Sequence, residues 1–122
     1  MKAREAGSSE MRRSRVVVSP FGLGEITLKD FEAMLCGALL LKPNLEHMET
    51  FPHLLEPGVT VETHRWDLSD LDEIVDALLA DPERSVEMAR AAQDRYRGFL
   101  ASEDGFHGFC RHFASLVDTA RR

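Results

Sequence analysis

The sequence predicts an α/β fold, a small parallel sheet with flanking helices, and further helices at the C-terminal end of the chain. Two short apolar runs, at 16–19 and 38–41, enclose a segment whose apolar residues recur at helical spacing. Strand, helix and strand within about 25 residues are typical of the β-α-β unit of a parallel sheet. The composition agrees, since 43% hydrophobic and 30% charged residues are ordinary for a globular protein.

The first strand leads through a glycine-containing loop into a short helix. The run at 16–19 is rich in β-branched residues and is closed by a proline, which suits a buried parallel strand. Thr27 and Asp30 have the spacing of a capping box, and the apolar spacing predicts a helix over about 28–36. Gly37 supplies the C-terminal stop of that helix.

The second and third strands frame an irregular segment. The fully apolar run at 38–41 predicts the second strand, which a lysine-proline pair ends. Residues 44–58 have no long period and contain two prolines, so we expect them to run irregularly over the C-terminal edge of the sheet. The weaker run at 59–63 predicts the third strand.

Three helices are predicted in the second half of the chain. The first begins at Ser69 and has one apolar face, the second runs from 82 to about 97 behind a proline at its first position, and Ser102 caps the third. The third helix carries a wide apolar stripe: Phe106, Phe109, Cys110, Phe113, Leu116 and Val117. Either this helix packs on the sheet, or its stripe lies against a partner domain.

Charge and composition exclude several classes of function. The chain has 122 residues, enough for one domain or a fragment of one, with 1–14 as a flexible N-terminal lead. Its formal net charge of -6 makes nucleic acid an unlikely partner. Neither an apolar leader nor a membrane span is visible, and Cys36 and Cys110 read as reduced core residues, so we expect a cytoplasmic protein.

Two glutamates near the first loop are the strongest site candidates. Glu25 lies in the loop after the first strand and Glu32 in the following helix, so both can face one crevice at the carboxyl edge of the sheet. Carboxylates accept hydrogen bonds from vicinal hydroxyls, and free N–H groups around Gly22 and Gly24 suit a diphosphate. The alternative is that both glutamates are solvated surface residues.

The chain resembles the C-terminal donor domain of group 1 glycosyltransferases, which have the GT-B fold of two Rossmann-like halves. The resemblance extends over nearly all of 15–117. It is carried by SPFGxGE at 19–25, DFEAxLCGALLxKP at 30–43, LEH at 45–47, ETFP at 49–52, PGxT at 57–60 and WDLSDL at 66–71.

This resemblance implies roles for the candidate residues. It implies that Glu32 holds the ribose of a nucleotide-sugar donor and that Glu25 contacts the transferred sugar. Lys29 stands where relatives often carry arginine, and it contacts a phosphate or forms a surface ion pair. The donor is a UDP-, GDP- or ADP-linked sugar, with no further cofactor. The nucleotide, the sugar, the acceptor and the catalytic residues stay open.

Other residue clusters favour structural roles. His47, Glu49 and His53 lack the spacing of a metal-binding helix, so no metal site is predicted. His107 and His112 fall on different faces of a helix. We expect Trp66 to anchor a loop, with stacking on a nucleobase as the alternative.

The resemblance also implies an incomplete enzyme. Residues 15–122 would be a partial nucleotide-sugar-binding domain, without the half that supplies the acceptor site, and therefore with negligible transferase activity alone. The competing interpretation is a non-catalytic nucleotide-sugar-binding or interaction module that docks a separate N-terminal partner or a second copy. A truncated gene product without independent function is a third interpretation.

Overall fold

The computed structural model describes residues 12–122, so most of the predicted N-terminal lead lies outside the described residues. Between residues 14 and 122, three strands and four helices make an α/β arrangement, as predicted. In chain order they are β1 (Val16–Val18), α1 (Leu28–Cys36), β2 (Leu39–Pro43), β3 (Val61–His64), α2 (Leu71–Ala80), α3 (Pro82–Ala101) and α4 (Glu103–Ala120).

The sheet is parallel throughout, with strand order β1-β2-β3. Helix α1 connects β1 to its neighbour β2, which confirms the predicted β-α-β unit. One prediction was wrong at the end of β2, because Lys42 continues the strand and pairs with Thr63 of β3 instead of ending it. The third strand also starts later than predicted, because residues 56–60 form a turn in which the Thr60 N–H donates to the Glu56 carbonyl at 2.9 Å.

The core lies on both faces of the sheet. Side chains alternate along β2, so that Leu40 packs with Val61 and helix α1, whereas Leu39 and Leu41 pack with Leu78 of α2. Helix α3 contributes to both clusters. The sheet is therefore covered on its two faces, which is the arrangement that parallel strands require.

Local signals set most helix ends. Gly37 has φ 77° and its N–H donates to the Met34 carbonyl, which confirms the predicted stop of α1. The Ser102 hydroxyl accepts the Gly105 N–H at 2.9 Å, which confirms the cap of α4. Helix α2 begins at Leu71 rather than Ser69, because the Ser69 N–H is held in a turn by the Asp67 carboxylate at 3.0 Å.

Helix α4 does not pack on the sheet, so the first alternative for its apolar stripe was wrong within this chain. No residue of α4 is buried, and Phe106 and Phe113 are 66% and 59% exposed. The helix meets the body through the side of the stripe that carries Gly105, Gly108 and His112, where His112 stacks on Phe51 with ring centroids 4.2 Å apart. The stripe includes Cys110, which is therefore exposed rather than a core residue.

Cys36, at the end of α1, is only half-buried, so the prediction of a core position was wrong for this residue too. The reason is that α1 turns Ala33 and Met34 toward the sheet, and Cys36 lies beside that face. No helix in the described range 12–122 is long and apolar enough to cross a membrane.

Candidate functional site

The predicted site residues lie around the loop that follows β1, at the carboxyl edge of the sheet. Three loops leave this edge, one after each parallel strand. In open α/β sheets, ligands bind outside the carboxyl ends of the strands, where such loops meet. The contacts among these three loops therefore define the candidate site.

A buried polar cluster anchors the base of the first loop. The Lys42 ammonium of β2 lies 2.8 Å from the Asp30 carboxylate of α1, and the two side chains are 0% and 1% exposed. The Ser19 hydroxyl, at the end of β1, donates to the other carboxylate oxygen at 2.6 Å. Three neighbouring elements of the β-α-β unit are thus joined by a single set of hydrogen bonds.

This cluster is fully satisfied, which is the condition for keeping charges inside a protein. Asp30 also accepts the Thr27 backbone N–H at 3.0 Å, the half of the predicted capping box that orients the helix start. Lys42 also lies 3.4 Å from the Ser19 carbonyl oxygen and 5.7 Å from the centre of the Phe21 ring. The cluster therefore fixes both ends of loop 19–27 and leaves no free donor on Lys42 for a ligand.

Sequence reasoning missed the cluster. It treated Asp30 only as a capping residue and Lys42 only as the end of a strand. The available signal was that Lys42 lies in an apolar run, with proline as the only turn signal after it. Since charged side chains are almost never fully buried unless they are paired, this position indicates a buried ammonium with a partner.

The two glutamates differ in their surroundings. Glu25 is partly exposed and its carboxylate lies 3.5 Å from Nε2 of His47, in the loop after β2. Glu32 is half-buried in the second turn of α1, and no residue in the range 12–122 forms a hydrogen bond or ion pair with its side chain. Glu32 therefore keeps its full capacity to accept hydrogen bonds from a ligand.

The remaining candidates supply fewer donors than the sequence predicts. The Gly22 N–H donates to the Gly24 carbonyl at 3.3 Å, inside the loop. The Gly24 N–H has no acceptor among the described residues, and the first N–H groups of α1 lack intrahelical acceptors, as at any helix start. Lys29 is exposed, and its ammonium donates to the Val18 carbonyl at 3.2 Å rather than forming an ion pair.

Three rings join the three loops above this edge. Phe21 follows β1, His47 follows β2 and Trp66 follows β3. Their centroids lie 5.1 to 5.9 Å apart, all in edge-to-face geometry. The indole N–H of Trp66 donates to the Asn44 carbonyl at 2.9 Å, so the predicted anchoring role of Trp66 is confirmed.

The loop that carries Trp66 also contains a carboxyl group with a lowered pKa, that of Asp67. Hydrogen bonds from the Ser69 hydroxyl and the Ser69 N–H lower the pKa of Asp67 below its ordinary value. Asp67 is fully exposed, so these bonds shape the loop and leave the carboxylate in water.

A cavity of about 460 Å³ lies apart from the predicted residues, on the irregular segment after β2. None of Gly22, Gly24, Glu25, Lys29 or Glu32 lines it. It is formed by Leu45, Glu46, Met48, Glu49, Thr50, His53, Leu55 and Pro57. In the described part of the chain no group of three or more His, Cys, Asp or Glu side chains could hold a metal ion.

The chain matches a known protein family over most of its length. The sequence model of a family described as glycosyl transferase-like matches residues 8–101. The match includes the whole sheet, the buried cluster and the three rings, and it ends with the last residue of α3. Helix α4 lies outside it. No curated protein matches the chain.

Proposed function

We propose that this chain, which belongs to the glycosyl transferase-like family, is the donor-binding part of a glycosyltransferase. It would hold a nucleotide sugar at the carboxyl edge of its sheet. The observation that carries the proposal is the half-buried carboxylate of Glu32, in the second turn of α1, which has no hydrogen-bond or ion-pair partner among residues 12–122. Such a carboxylate can accept hydrogen bonds from both hydroxyls of a ribose.

The neighbouring groups fit the rest of a nucleotide sugar. The Gly24 N–H and the first turn of α1 offer donors and a positive helix end to a diphosphate. Lys29, exposed at that helix start, adds a positive charge. Glu25 would accept a hydrogen bond from a hydroxyl of the sugar, on the side of the loop where it meets His47.

The reaction would join an acceptor oxygen to the anomeric carbon while the bond from that carbon to the diphosphate breaks. The electron pair of the broken bond stays on the diphosphate, so negative charge grows there in the transition state. Fixed N–H groups and a helix N-terminus stabilise this charge without reorganising. Since the described residues are assigned only to the donor side, we expect negligible turnover by the chain alone, and binding is the property to measure.

Titration calorimetry with UDP, GDP and ADP tests the proposal. We expect one of them to bind the chain, and Glu32→Gln to weaken it about 10-fold or more, since a hydrogen bond to a charged group contributes about 1.5 to 3 kcal/mol. Glu87→Gln, at an exposed glutamate of α3, is the matched control and should change nothing. Two results would remove the donor-site assignment. One is that none of the three nucleotides binds, and the other is that Glu32→Gln binds the nucleotide as tightly as Glu87→Gln and the wild-type chain do.

The exposed stripe of α4 favours a second role, the assembly of two copies of this chain. Phe106, Phe109, Phe113 and Leu116 follow a spacing of three, four and three residues, which is that of a coiled-coil seam. The helix begins with two acidic residues and is followed by two arginines at 121 and 122. In an antiparallel pair of α4 helices, the acidic start of each helix would lie near the basic end of its partner. Two-fold symmetry makes these two contacts equivalent.

Light scattering behind size-exclusion chromatography tests this role. We expect a dimer for the wild-type chain and a monomer for Phe109→Asp, because a charge at the centre of the seam cannot be buried unpaired. Val86→Asp, at an exposed position of α3, is the control and should leave the dimer intact. A wild-type monomer at high micromolar concentration would refute the assembly.

A further inference from the structure

The three rings of Phe21, His47 and Trp66 form an aromatic platform at the carboxyl edge of the sheet. They belong to three different loops, and their edge-to-face contacts join each loop to the other two. Each ring contacts the other two, and the shortest of these distances, 5.1 Å, joins His47 to Trp66. The imidazole Nε2 of His47 also lies 3.5 Å from the Glu25 carboxylate, so His47 contacts both the indole and the carboxylate.

Trp66 is fixed without being covered. Its indole N–H is satisfied by the Asn44 carbonyl at 2.9 Å, and its edge-to-face contacts hold the ring, yet 61% of the residue stays exposed. A tryptophan that serves only to hold loops together would stabilise the fold more if its large apolar ring were buried. The exposed part of this indole is therefore available to a ligand.

A sugar ring matches this combination of groups. A pyranose carries C–H groups on its faces and hydroxyls on its rim, so its face is suited to an aromatic surface and its rim to a carboxylate. Ligand sites commonly combine apolar or aromatic walls with a few polar groups that fix orientation. Trp66 and Glu25 present these two kinds of group from the loops after β3 and β1, and His47 of the loop between them contacts both.

We propose that the platform is the subsite for the transferred sugar, with Trp66 stacked on a C–H face of the ring and Glu25 accepting a hydrogen bond from a hydroxyl. His47 orients both, through its contact with the indole and its approach to the carboxylate. This inference rests on the proposed donor function. It adds Trp66, Phe21 and His47 as residues that select a sugar-bearing ligand over the bare nucleotide.

The chain contains a single tryptophan, so its intrinsic fluorescence reports on Trp66 alone. UDP and UDP-glucose, GDP and GDP-mannose, and ADP and ADP-glucose are the matched probes. We expect a blue shift or quenching of the Trp66 emission with one sugar-bearing nucleotide and little change with its bare diphosphate. Calorimetry should show that the sugar tightens binding about 3- to 10-fold, the range that one ring contact supplies.

Two substitutions at Trp66 separate stacking from loop support. Trp66→Leu should abolish the affinity gained from the sugar and leave the affinity for the bare diphosphate unchanged, whereas Trp66→Phe should retain part of the gain. Circular dichroism melting checks that both variants fold, as an exposed position allows. The same measurements on Glu87→Gln should match wild type.

The outcomes distinguish this inference from the function on which it rests. If bare and sugar-bearing nucleotides bind equally and Trp66→Leu weakens neither or both alike, the sugar subsite is refuted while the donor site remains. If the indole responds to the bare diphosphate as strongly as to the sugar-bearing ligand, Trp66 contacts the nucleotide and the inference is overturned. If no nucleotide binds at all, both proposals fall.

Discussion

Replacing Lys42 by methionine tests the buried cluster, because it removes one charge and nearly preserves side-chain length. Asp30 would remain 1% exposed and would keep its hydrogen bonds from Ser19 and Thr27, but its charge would have no compensating cation. Breaking a buried ion pair by removing one partner costs about 3 to 5 kcal/mol, and solvent screening does not reduce this figure where both partners are buried. Since small domains unfold at a cost of about 5 to 15 kcal/mol, Lys42→Met should remove a large part of the stability.

The measurement is urea denaturation followed by circular dichroism and by the fluorescence of Trp66. A double variant, Lys42→Met with Asp30→Asn, should recover about 1 to 3 kcal/mol relative to the sum of the two single variants, because neither charge is then buried alone. Lys29→Met is the control, since the Lys29 ammonium is exposed and donates only to the Val18 carbonyl. It should cost about 1 kcal/mol or less.

Two results would refute this reasoning. One is a loss smaller than about 1 kcal/mol for Lys42→Met, which would mean that the ammonium is not the partner on which Asp30 depends. The other is strict additivity of the two single variants, which would mean that the two side chains are not coupled. In either case the base of loop 19–27 would be held by other contacts.

Three further predictions concern stability. Gly98→Ala should raise the free energy of unfolding by about 1 kcal/mol, because alanine favours the helix and its added Cβ meets nothing within 4 Å in α3. Gly105→Ala should lower the free energy of unfolding, because its Cβ would overlap the Phe99 carbonyl oxygen. Urea denaturation should therefore give changes of opposite sign for the two variants. Leu68→Asn should raise the melting temperature, because Leu68 has φ 63°, a left-handed conformation that costs most side chains about 1 kcal/mol and that asparagine adopts more readily; an unchanged or lower value contradicts this. Asp67→Asn should reduce the loss of stability in acid. Hydrogen bonds from Ser69 hold the folded pKa of Asp67 below its ordinary value, so the ionised carboxylate contributes stability at pH above that ordinary value, and this contribution is lost as the pH falls through the folded pKa. Equal acid titrations of stability for both chains would argue against it.

The elements that could be predicted are those with signals close together in the sequence. The spacing of Thr27 and Asp30 and the glycine at 37 predict both ends of α1, and the structure has the same bounds. Ser102 likewise predicts the start of α4. In these cases the hydrogen bonds that end a helix are made by residues within one turn of it.

The contacts that could not be predicted join residues far apart in the chain. Lys42 reads as the end of a strand because its compensating partners, Asp30 and Ser19, are 12 and 23 residues away. The ring platform likewise combines residues 21, 47 and 66, and only the parallel order of the strands brings their loops together. The stripe of α4 shows that one face is apolar, but an amphipathic pattern does not say what covers that face.

The candidate site is predictable in kind and less so in detail. The sequence places Glu25 and Glu32 near one edge of the sheet, and the structure finds both on the predicted loop and helix. The sequence does not reveal that Glu25 approaches His47 while Glu32 has no partner among the described residues, because the Glu25 contact depends on the segment after β2. Their assignment to sugar and ribose remains a prediction.

The most direct test of the account is to map nucleotide binding on the backbone by NMR, which suits a chain of 13.7 kDa. Adding the nucleotide that binds in calorimetry to the ¹⁵N-labelled chain should shift the amide signals of Gly22, Gly24 and residues 28–32, and its sugar-bearing form should also shift the Trp66 indole signal. Shifts confined to the cavity at 45–57, with the amides of the β1 loop and α1 unchanged, would contradict the claim that this edge of the sheet holds the donor.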